Sequence, residues 1–254
     1  LRGLAITDHE ALCGHIKARD FIESKRKSSD EELAKKWKDF KLILGNEIYL
    51  CRNGLSESNF ISGQDKFYHF ILLAKDEIGH NQLQELSSRA WDRSWMRFIR
   101  RRPTYYSDIE EIIGQNPGHI IASTACIGGF LGTTILKYGA DSKNKSKYQQ
   151  EIIDFLNWCV NIFGEENFFL EMQPSNEEEQ VFVNTEIQKI SAAMGIPVII
   201  TTDAHYLKKE DRKIHKAYLN SKDGDREVDS FYASTYVMTA EEIHEYMDDT
   251  IGAS

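Results

Sequence analysis

The sequence predicts an α/β fold in which strands alternate with helices and functional side chains lie where the strands end. Short apolar runs of strand length recur, and stretches with helical spacing of apolar residues separate them. Several of these runs end in an acidic residue, a histidine or a cysteine. This alternation is typical of a mainly parallel sheet or barrel with its site at the C-terminal ends of the strands. Because 254 residues can bury one large core, we predict a single domain over residues 1–254, with residues 231–254 beginning the connection to another domain.

The composition predicts a reduced, cytoplasmic protein that does not enter a membrane. The sequence has no apolar run of membrane length and no secretory signal. Its four cysteines, Cys13, Cys51, Cys126 and Cys159, are far apart, which favours free thiols over a disulfide framework. The formal net charge of -9 argues against strong nucleic-acid binding by this chain alone. The chain begins at Leu1, directly in a strand-like run, so we expect it to be a fragment of a longer protein.

The first two predicted strands each carry side chains of metal-ligand type. Residues 3–7 read as a short buried strand that ends at Asp8 and His9. Residues 41–50 form a second apolar run, interrupted by one acidic residue, Glu47. A carboxylate inside such a run is costly unless it is paired, hydrogen-bonded or bound to a metal.

The next predicted strands continue the same pattern. Residues 67–74 contain His69 among apolar neighbours, where a hydrogen-bonded core histidine is the ordinary alternative. Residues 119–129 run into Cys126 and a Gly pair, and this cysteine is either a small buried hydrophobe or a metal ligand. Another isolated carboxylate, Glu171, lies in the following strand.

The strand predicted over residues 198–206 ends in an Asp-x-His pattern. Alternate strand residues share one face, so Asp203 and His205 are expected to point the same way. A carboxylate and an imidazole on one face suit a divalent metal, although ordinary loop-edge residues show the same pattern. His215 lies beyond this strand, within reach of the same site but outside the predicted ligand set. We predict a last strand over residues 231–238.

Helices are predicted between these strands from apolar spacing and from capping residues. The first begins near Glu10, and a second opens at Ser29 or Asp30, which are good N-cap residues. An apolar stripe over residues 147–163 indicates a helix that packs on the core. Further along the chain we predict a helix that ends at Gly195, a helix over residues 208–220, and a helix that opens with a capping box at residues 239–242.

Residues 91–106 interleave aromatic rings with arginines. Such a segment can stack nucleic-acid bases and hold phosphates, so Arg100, Arg101 and Arg102 are candidate nucleic-acid contacts. An exposed basic loop with a few packed rings explains the same pattern equally well.

Taken together, the ligand-type residues near the predicted strand ends indicate a metal site. Singly, each has an ordinary explanation, but a set drawn from five strands is hard to attribute to chance. The set is Asp8, His9, Glu47, His69, Cys126, Asp203 and His205.

Six blocks along the chain resemble the polymerase and histidinol phosphatase (PHP) domain, in the version found in bacterial DNA polymerase III alpha subunits. They are AITDH at 5–9, LGNEIY at 44–49, HFILLAKDEIG at 69–79, STACIGG at 123–129, FLEMQ at 169–173 and ITTDAHYL at 200–207. The resemblance implies a distorted seven-stranded β/α barrel with up to three divalent metal ions, zinc or manganese, at the C-terminal mouth of the strands. The family's first motif, a His-x-His on an earlier strand, is absent from the sequence.

Carried over position by position, the resemblance implies that the metal ligands are Asp8, His9, Glu47, His69, Cys126, Asp203 and His205. It leaves the role of Glu171 open. The implied partners are the remaining polymerase domains of the parent chain, DNA through that parent, and other replisome subunits.

The leading functional hypothesis is a metal-dependent phosphoesterase site, most simply a 3′→5′ exonuclease. Glu47 would bridge metals and Asp203 and His205 would orient them, so these three are the candidate catalytic residues. Two alternatives remain open: a metal-stabilised structural domain without turnover, favoured by the acidity and the missing first motif, and a phosphatase that acts on a small phosphomonoester.

Overall fold

The computed structural model describes residues 2–93, 101–223 and 231–251, which adopt a mixed α/β fold. The α/β class predicted from the sequence is therefore confirmed. The chain divides into two compact units, the first comprising Leu1–Phe130 and Gln150–Phe168 and the second comprising Leu131–Gln149 and Phe169–Ser254. Among the described residues, no helix is both long and apolar enough to cross a lipid bilayer.

The first unit is built on a sheet whose central strand is β2. Its strands are β1 (Gly3–Ile6), β2 (Lys41–Cys51), β3 (Tyr68–Ala74), β4 (Pro103–Tyr105) and β5 (Ile120–Ser123). β1 and β4 pair parallel to β2, whereas β3 pairs antiparallel to β2 and to β5. The parallel arrangement predicted for the sheet holds for β1 and β4 but not for β3, because residues 52–67, between β2 and β3, contain no crossover helix that would return the chain in the same direction.

Most of the helices lie where apolar spacing and capping residues predict them. The helices are α1 (Gly14–Arg26), α2 (Glu31–Lys38), α3 (Glu77–Asp92), α4 (Tyr106–Ile112), α5 (Phe130–Ala140), α6 (Lys145–Phe163), α7 (Glu178–Met194), α8 (Arg212–Asp223) and α9 (Ala240–Ile251). Of these, α4 and α5 were not predicted, and two helices, α1 and α8, begin about four residues later than expected. The first begins four residues after Glu10, whose φ of 58° is left-handed and incompatible with a right-handed helix. The second has Asp30 as its N-cap, and that carboxylate accepts a 3.1 Å hydrogen bond from the N–H of Leu33.

The core of the first unit lies between the sheet and α6. Phe70 on β3 is almost fully buried and packs its ring against Phe155 and Phe163 of α6. The apolar stripe predicted on this helix is buried as expected: Ile152, Phe155, Leu156, Cys159 and Phe163. β1 differs from its prediction, because Leu4 is 46% exposed. In the part of the chain that the structure describes, β1 pairs only with β2, so its burial prediction is wrong.

The second unit contains β6 (Phe168–Met172), apart from Phe168 itself, and β7 (Val198–Ile200). The two strands run parallel, with Glu171 opposite Ile199. α7 ends at Gly195, whose φ of 71° is the left-handed conformation of a glycine cap, as predicted. The capping box predicted for α9 is also present. The N–H of Glu242 donates to Thr239 Oγ1 at 3.2 Å, and the Glu242 carboxylate accepts from the N–H of Thr239 at 2.8 Å.

Two strand predictions in the second unit are wrong. The strand predicted over residues 198–206 ends at Ile200, and Asp203 adopts a φ of 43°, outside the extended region. The alternation argument that put Asp203 and His205 on one strand face therefore does not apply. The strand predicted over residues 231–238 is a short 3₁₀ turn followed by a single bridge between Tyr206 and Tyr236.

The side chain of Asn184 forms hydrogen bonds with the backbone N–H and carbonyl of Gln173, and its removal should destabilise the second unit. The fully buried Asn184 amide donates to the Gln173 carbonyl at 2.8 Å and accepts from the Gln173 N–H at 3.3 Å. In Asn184→Ala both peptide groups stay buried without these partners, so we expect a loss of about 2 kcal/mol in the free energy of unfolding. Urea denaturation measures the change. The matched control, Asn176→Ala at an exposed position, should stay within about 0.5 kcal/mol of the wild type.

Candidate metal centre

Three of the predicted ligands form a compact cluster in the first unit. The donor atoms of His9, Glu47 and His69 all lie within 4.8 Å of one another. Glu47 Oε1 lies 2.8 Å from His69 Nδ1, and Glu47 Oε2 lies 3.6 Å from His9 Nδ1. Within the described ranges, this is the one group of three such side chains that meets this spacing. Glu47 is 6% exposed, so its carboxylate is buried between two imidazoles.

The register of the strands explains why these side chains meet. In the antiparallel pair of β2 and β3, Tyr49 lies opposite His69, and Glu47 is two residues away on the same face of β2. On the other side, His9 forms a backbone bridge with Glu47. Neighbouring strands lie about 4.8 Å apart, so side chains on adjacent positions of three segments reach a common point.

Cys126 adds a thiol next to this cluster. Its Sγ lies 3.2 Å from His69 Nδ1, and the residue is 7% exposed. A tight turn holds it there, because the Gly129 N–H donates to the Cys126 carbonyl at 2.8 Å. A β-carbon at Gly129 would lie 2.2 Å from the carbonyl oxygen of Thr124, so the turn requires glycine.

The fifth predicted ligand of the first unit, Asp8, faces a different direction. A β-carbon on Gly14 would lie 2.6 Å from Asp8 Oδ2, which puts this carboxylate against the start of α1. The Asp8 carbonyl accepts from the N–H of Glu47 at 3.3 Å and from the side chain of Asn46 at 2.8 Å. The backbone of Asp8 thus fixes the segment that carries His9, and its role as a ligand stays a prediction.

The remaining predicted ligands, Asp203 and His205, lie in the second unit. His205 Nδ1 donates to the carbonyl of Asp203 at 2.7 Å, which leaves Nε2 as the nitrogen with a lone pair. The ring of His215 lies 5.6 Å from that of His205, and its buried Nδ1 has no hydrogen-bond partner in the described part of the chain. Burial, and then the neighbouring His205, lower the pKa of His215.

Glu171 makes local hydrogen bonds in the second unit. Its Oε1 accepts from Thr201 Oγ1 at 2.6 Å and from Gln173 Nε2 at 3.2 Å, and the residue is 5% exposed. These bonds compensate part of the cost of burying a carboxylate.

Backbone strain coincides with the predicted ligands in both units. Three non-glycine residues in the described part of the chain have positive φ: Glu10 at 58°, Ala125 at 59° and Asp203 at 43°. The first follows His9, the second precedes Cys126 and the third is itself a predicted ligand. Strained backbone conformations of this kind cluster at functional sites, which supports the choice of these segments.

Tyr49 belongs to the cluster, although sequence reasoning did not single it out. Its ring is parallel to the imidazole of His9, with centroids 5.4 Å apart, and lies edge-on to His69 at 5.2 Å. Burial raises the pKa of Tyr49 to about 12, although the nearby Arg101 opposes the shift, so its hydroxyl stays protonated at neutral pH. The sequence held one signal for this role: Tyr49 follows Glu47 by two residues on the same strand and therefore shares its face.

The structure describes two of the three candidate nucleic-acid arginines, while Arg100 lies outside the described residues. The guanidinium of Arg101 lies over the ring of Tyr49, 4.4 Å from its centroid. Arg102 lies over Trp91 at 4.2 Å, and its N–H donates to the carboxylate of Glu10. Burial raises the pKa of Glu10.

The donor set of the first unit fits a divalent metal ion. Two imidazoles, one carboxylate and one thiol are ligands that zinc accepts, and manganese accepts the imidazoles and the carboxylate. His69 Nδ1 lies 2.8 Å from Glu47 Oε1 and 3.2 Å from Cys126 Sγ, and Glu47 Oε2 lies 3.6 Å from His9 Nδ1. These three separations are comparable with about 3.4 Å between ligand atoms of a tetrahedral zinc site.

Thiol reactivity provides a residue-specific test of metal binding. Burial raises the pKa of Cys51 to about 12 and that of Cys159 well above its usual value, so neither should react with N-ethylmaleimide before unfolding. Cys13 is exposed and should react first. We expect one equivalent of zinc to slow alkylation of Cys126 at least tenfold, measured by peptide mass spectrometry, while Cys13 serves as the internal control. An unchanged rate at Cys126 would exclude it as a ligand.

Comparisons with known proteins agree with this geometry. A family model described as "PHP domain" matches residues 1–175. The chain is 46% identical over 255 residues to the probable DNA polymerase YorL of Bacillus subtilis, covering 97% of this chain and 19% of that protein. It is 32% identical over 213 residues to the DNA polymerase III subunit alpha of Borreliella burgdorferi, covering 82% of this chain and 16% of that protein. The chain thus spans less than a fifth of the length of these relatives.

Proposed function

Because the chain belongs to the PHP domain family, we propose that its cluster around Glu47 binds a divalent metal and hydrolyses phosphoesters, with 3′→5′ exonuclease activity on DNA as its reaction. The observation that carries the proposal is the buried Glu47 carboxylate between His9 and His69, with Cys126 beside it. A phosphodiester is negatively charged and water is a weak nucleophile, so its hydrolysis benefits from a divalent metal ion. The donor set around Glu47 is of the type that would bind such an ion.

In the proposed mechanism, His9, Glu47 and His69 would hold one metal ion, and Cys126, which lies beside His69, would add a thiolate. A divalent metal ion lowers the pKa of a bound water and neutralises charge on the phosphoryl oxygens. Glu47 has two carboxylate oxygens directed to two different imidazoles, which allows it to bridge. Asp203 and His205 are proposed as further ligands and as orienting groups, together with Asp8, for up to three ions.

Zinc or manganese is the proposed metal. The Cys126 thiol favours zinc at the position it shares with His69, because thiolate is a soft ligand. Carboxylate-rich positions, as Asp8 and Asp203 would provide, suit manganese as well.

The names of the relatives support a role for the proposed reaction in DNA synthesis. Proteins of which this chain matches less than a fifth are named DNA polymerases. We propose that this domain works in the cytoplasm beside the other domains of a polymerase chain, which bring DNA to it, and that replisome subunits are further partners.

Metal content and DNA hydrolysis, measured together, test the proposal. The chain purified without chelator or affinity metal should contain near-stoichiometric zinc or manganese by plasma mass spectrometry. It should then shorten a 5′-labelled oligonucleotide from its 3′ end, and EDTA should stop the reaction. A metal-free folded chain, or a metal-loaded chain that hydrolyses no DNA, would overturn it. A chelator-sensitive melting temperature without hydrolysis would support the structural alternative, and cleavage of p-nitrophenyl phosphate alone would support the phosphatase.

A further inference from the structure

The ring of Tyr49 connects the metal cluster to a cationic side chain. It stacks on His9 at 5.4 Å with an angle of 1° between the ring planes, and the Arg101 guanidinium lies 4.4 Å from the same ring. Arg101 also donates a 3.2 Å hydrogen bond to the Tyr49 hydroxyl. One ring thus contacts both a predicted metal ligand and a permanent positive charge.

Both members of this pair retain donors for a ligand. Arg101 is half-buried and, within the described ranges, forms no ion pair with a carboxylate, although Glu10 is close enough to attract it. The Tyr49 oxygen accepts from Arg101, and its own proton has no acceptor among the described residues. A guanidinium and a hydroxyl that converge in this way offer several N–H and O–H groups to one anion.

We infer that Arg101 and Tyr49 form a phosphate-binding pair, which holds a non-scissile phosphate of a single nucleic-acid strand while the adjacent ester lies at the metal cluster. The inference rests on the proposed function, and it assigns that site a substrate class. A small phosphomonoester has one phosphate and cannot occupy both places, whereas a polynucleotide presents a second phosphate one nucleotide away. The pair therefore selects polynucleotides over monoesters.

The arrangement fits phosphate better than base stacking. Tyr49 is 6% exposed and its ring contacts both His9 and Arg101, so the ring is not open to a base. Contact between the guanidinium and the ring fixes the fork of Arg101 before a ligand arrives, which reduces the ordering cost of binding.

Binding of a labelled oligonucleotide, measured without turnover, tests the pair. Fluorescence anisotropy of the full chain with a fluorescein-labelled single strand in EDTA should give a dissociation constant at least tenfold weaker for Arg101→Ala. Loss of one phosphate contact should also lower the slope of log affinity against log salt by about 0.7. Arg101→Lys keeps the charge and should restore the slope, whereas Tyr49→Phe should weaken binding about threefold and keep the slope.

The matched control is Arg19→Ala, which removes an exposed arginine beside Asp20 and should leave affinity within twofold. If Arg101→Ala has the affinity and salt slope of this control, or if the wild type does not bind the strand, the inference is wrong. Should Arg101→Ala fold poorly, Arg101→Lys and Tyr49→Phe carry the test. If Arg101→Ala weakens binding but the wild type hydrolyses no DNA, the proposed reaction is wrong and the phosphate-binding pair stands. If the wild type hydrolyses DNA but Arg101→Ala binds the strand normally, the pair is wrong and the proposed reaction stands.

Discussion

Glu47→Gln should lower the affinity of the chain for zinc at least a hundredfold. Glutamine keeps the size of the side chain but removes the negative charge between His9 and His69. A neutral amide is a far poorer ligand than a carboxylate, and its N–H₂ group would face an imidazole nitrogen that the metal needs. Competition with a zinc-binding dye measures the change, and hydrolysis of a labelled oligonucleotide should fall by a similar factor.

The control for this substitution is Glu166→Gln, which makes the same chemical change at an exposed position of the first unit. Its zinc affinity should match that of the wild type. Unchanged zinc binding in Glu47→Gln, with the control also unchanged, would show that the cluster around Glu47 is an ordinary hydrogen-bonded network and would remove the basis of the proposed reaction.

Gly79→Ala should destabilise the chain by about 3 kcal/mol, although alanine is the better helix former by about 1 kcal/mol. Gly79 lies in the first turn of α3, where its N–H donates to the N-cap Asp76 at 2.9 Å. A β-carbon there would lie 2.1 Å from the carbonyl oxygen of His119, which already accepts from the N–H of Lys75. Because the obstacle is backbone, relief requires moving α3 or the segment before β5.

Urea denaturation of Gly79→Ala and, in parallel, of Asn81→Ala separates the effect of helix propensity from that of the steric clash with His119. Asn81 is exposed on the same helix, so its replacement gains helix propensity without a clash and should stabilise by a few tenths of a kcal/mol. A Gly79→Ala protein as stable as the wild type would mean that helix propensity, rather than the close approach to His119, determines stability at this position.

Local signals in the sequence predicted the features that depend on local physics. Asp30, Gly195 and the Thr239–Glu242 box act through backbone groups within a few residues, so they could be read directly from the chain. Burial of β1 and the direction of β3 depend on which segments pair, and their predictions were wrong. The end of β7 at Ile200 depends on a change of backbone conformation that an apolar pattern does not report.

The candidate site shows the same division. Ligand type is a property of single residues, and the sequence identified His9, Glu47 and His69, which the fold brings together. Which side chains meet depends on register across strands, and this is why the contacts of Tyr49 with His9 and Arg101 were not predicted. The direction of the Asp8 carboxylate, toward α1, was likewise invisible in the sequence.

The residues with left-handed backbone at or beside the predicted ligands lower the stability of the fold at positions that the candidate site needs. A non-glycine residue at positive φ costs about 1 kcal/mol or more, which glycine at the same position would recover. Ala125, with its φ of 59°, is therefore a position where protein engineering should raise the melting temperature. Glycine at this position would also give the turn that fixes Cys126 more conformational freedom. Versions of this chain that are selected for thermostability alone should therefore tend to fold well and to bind metal poorly.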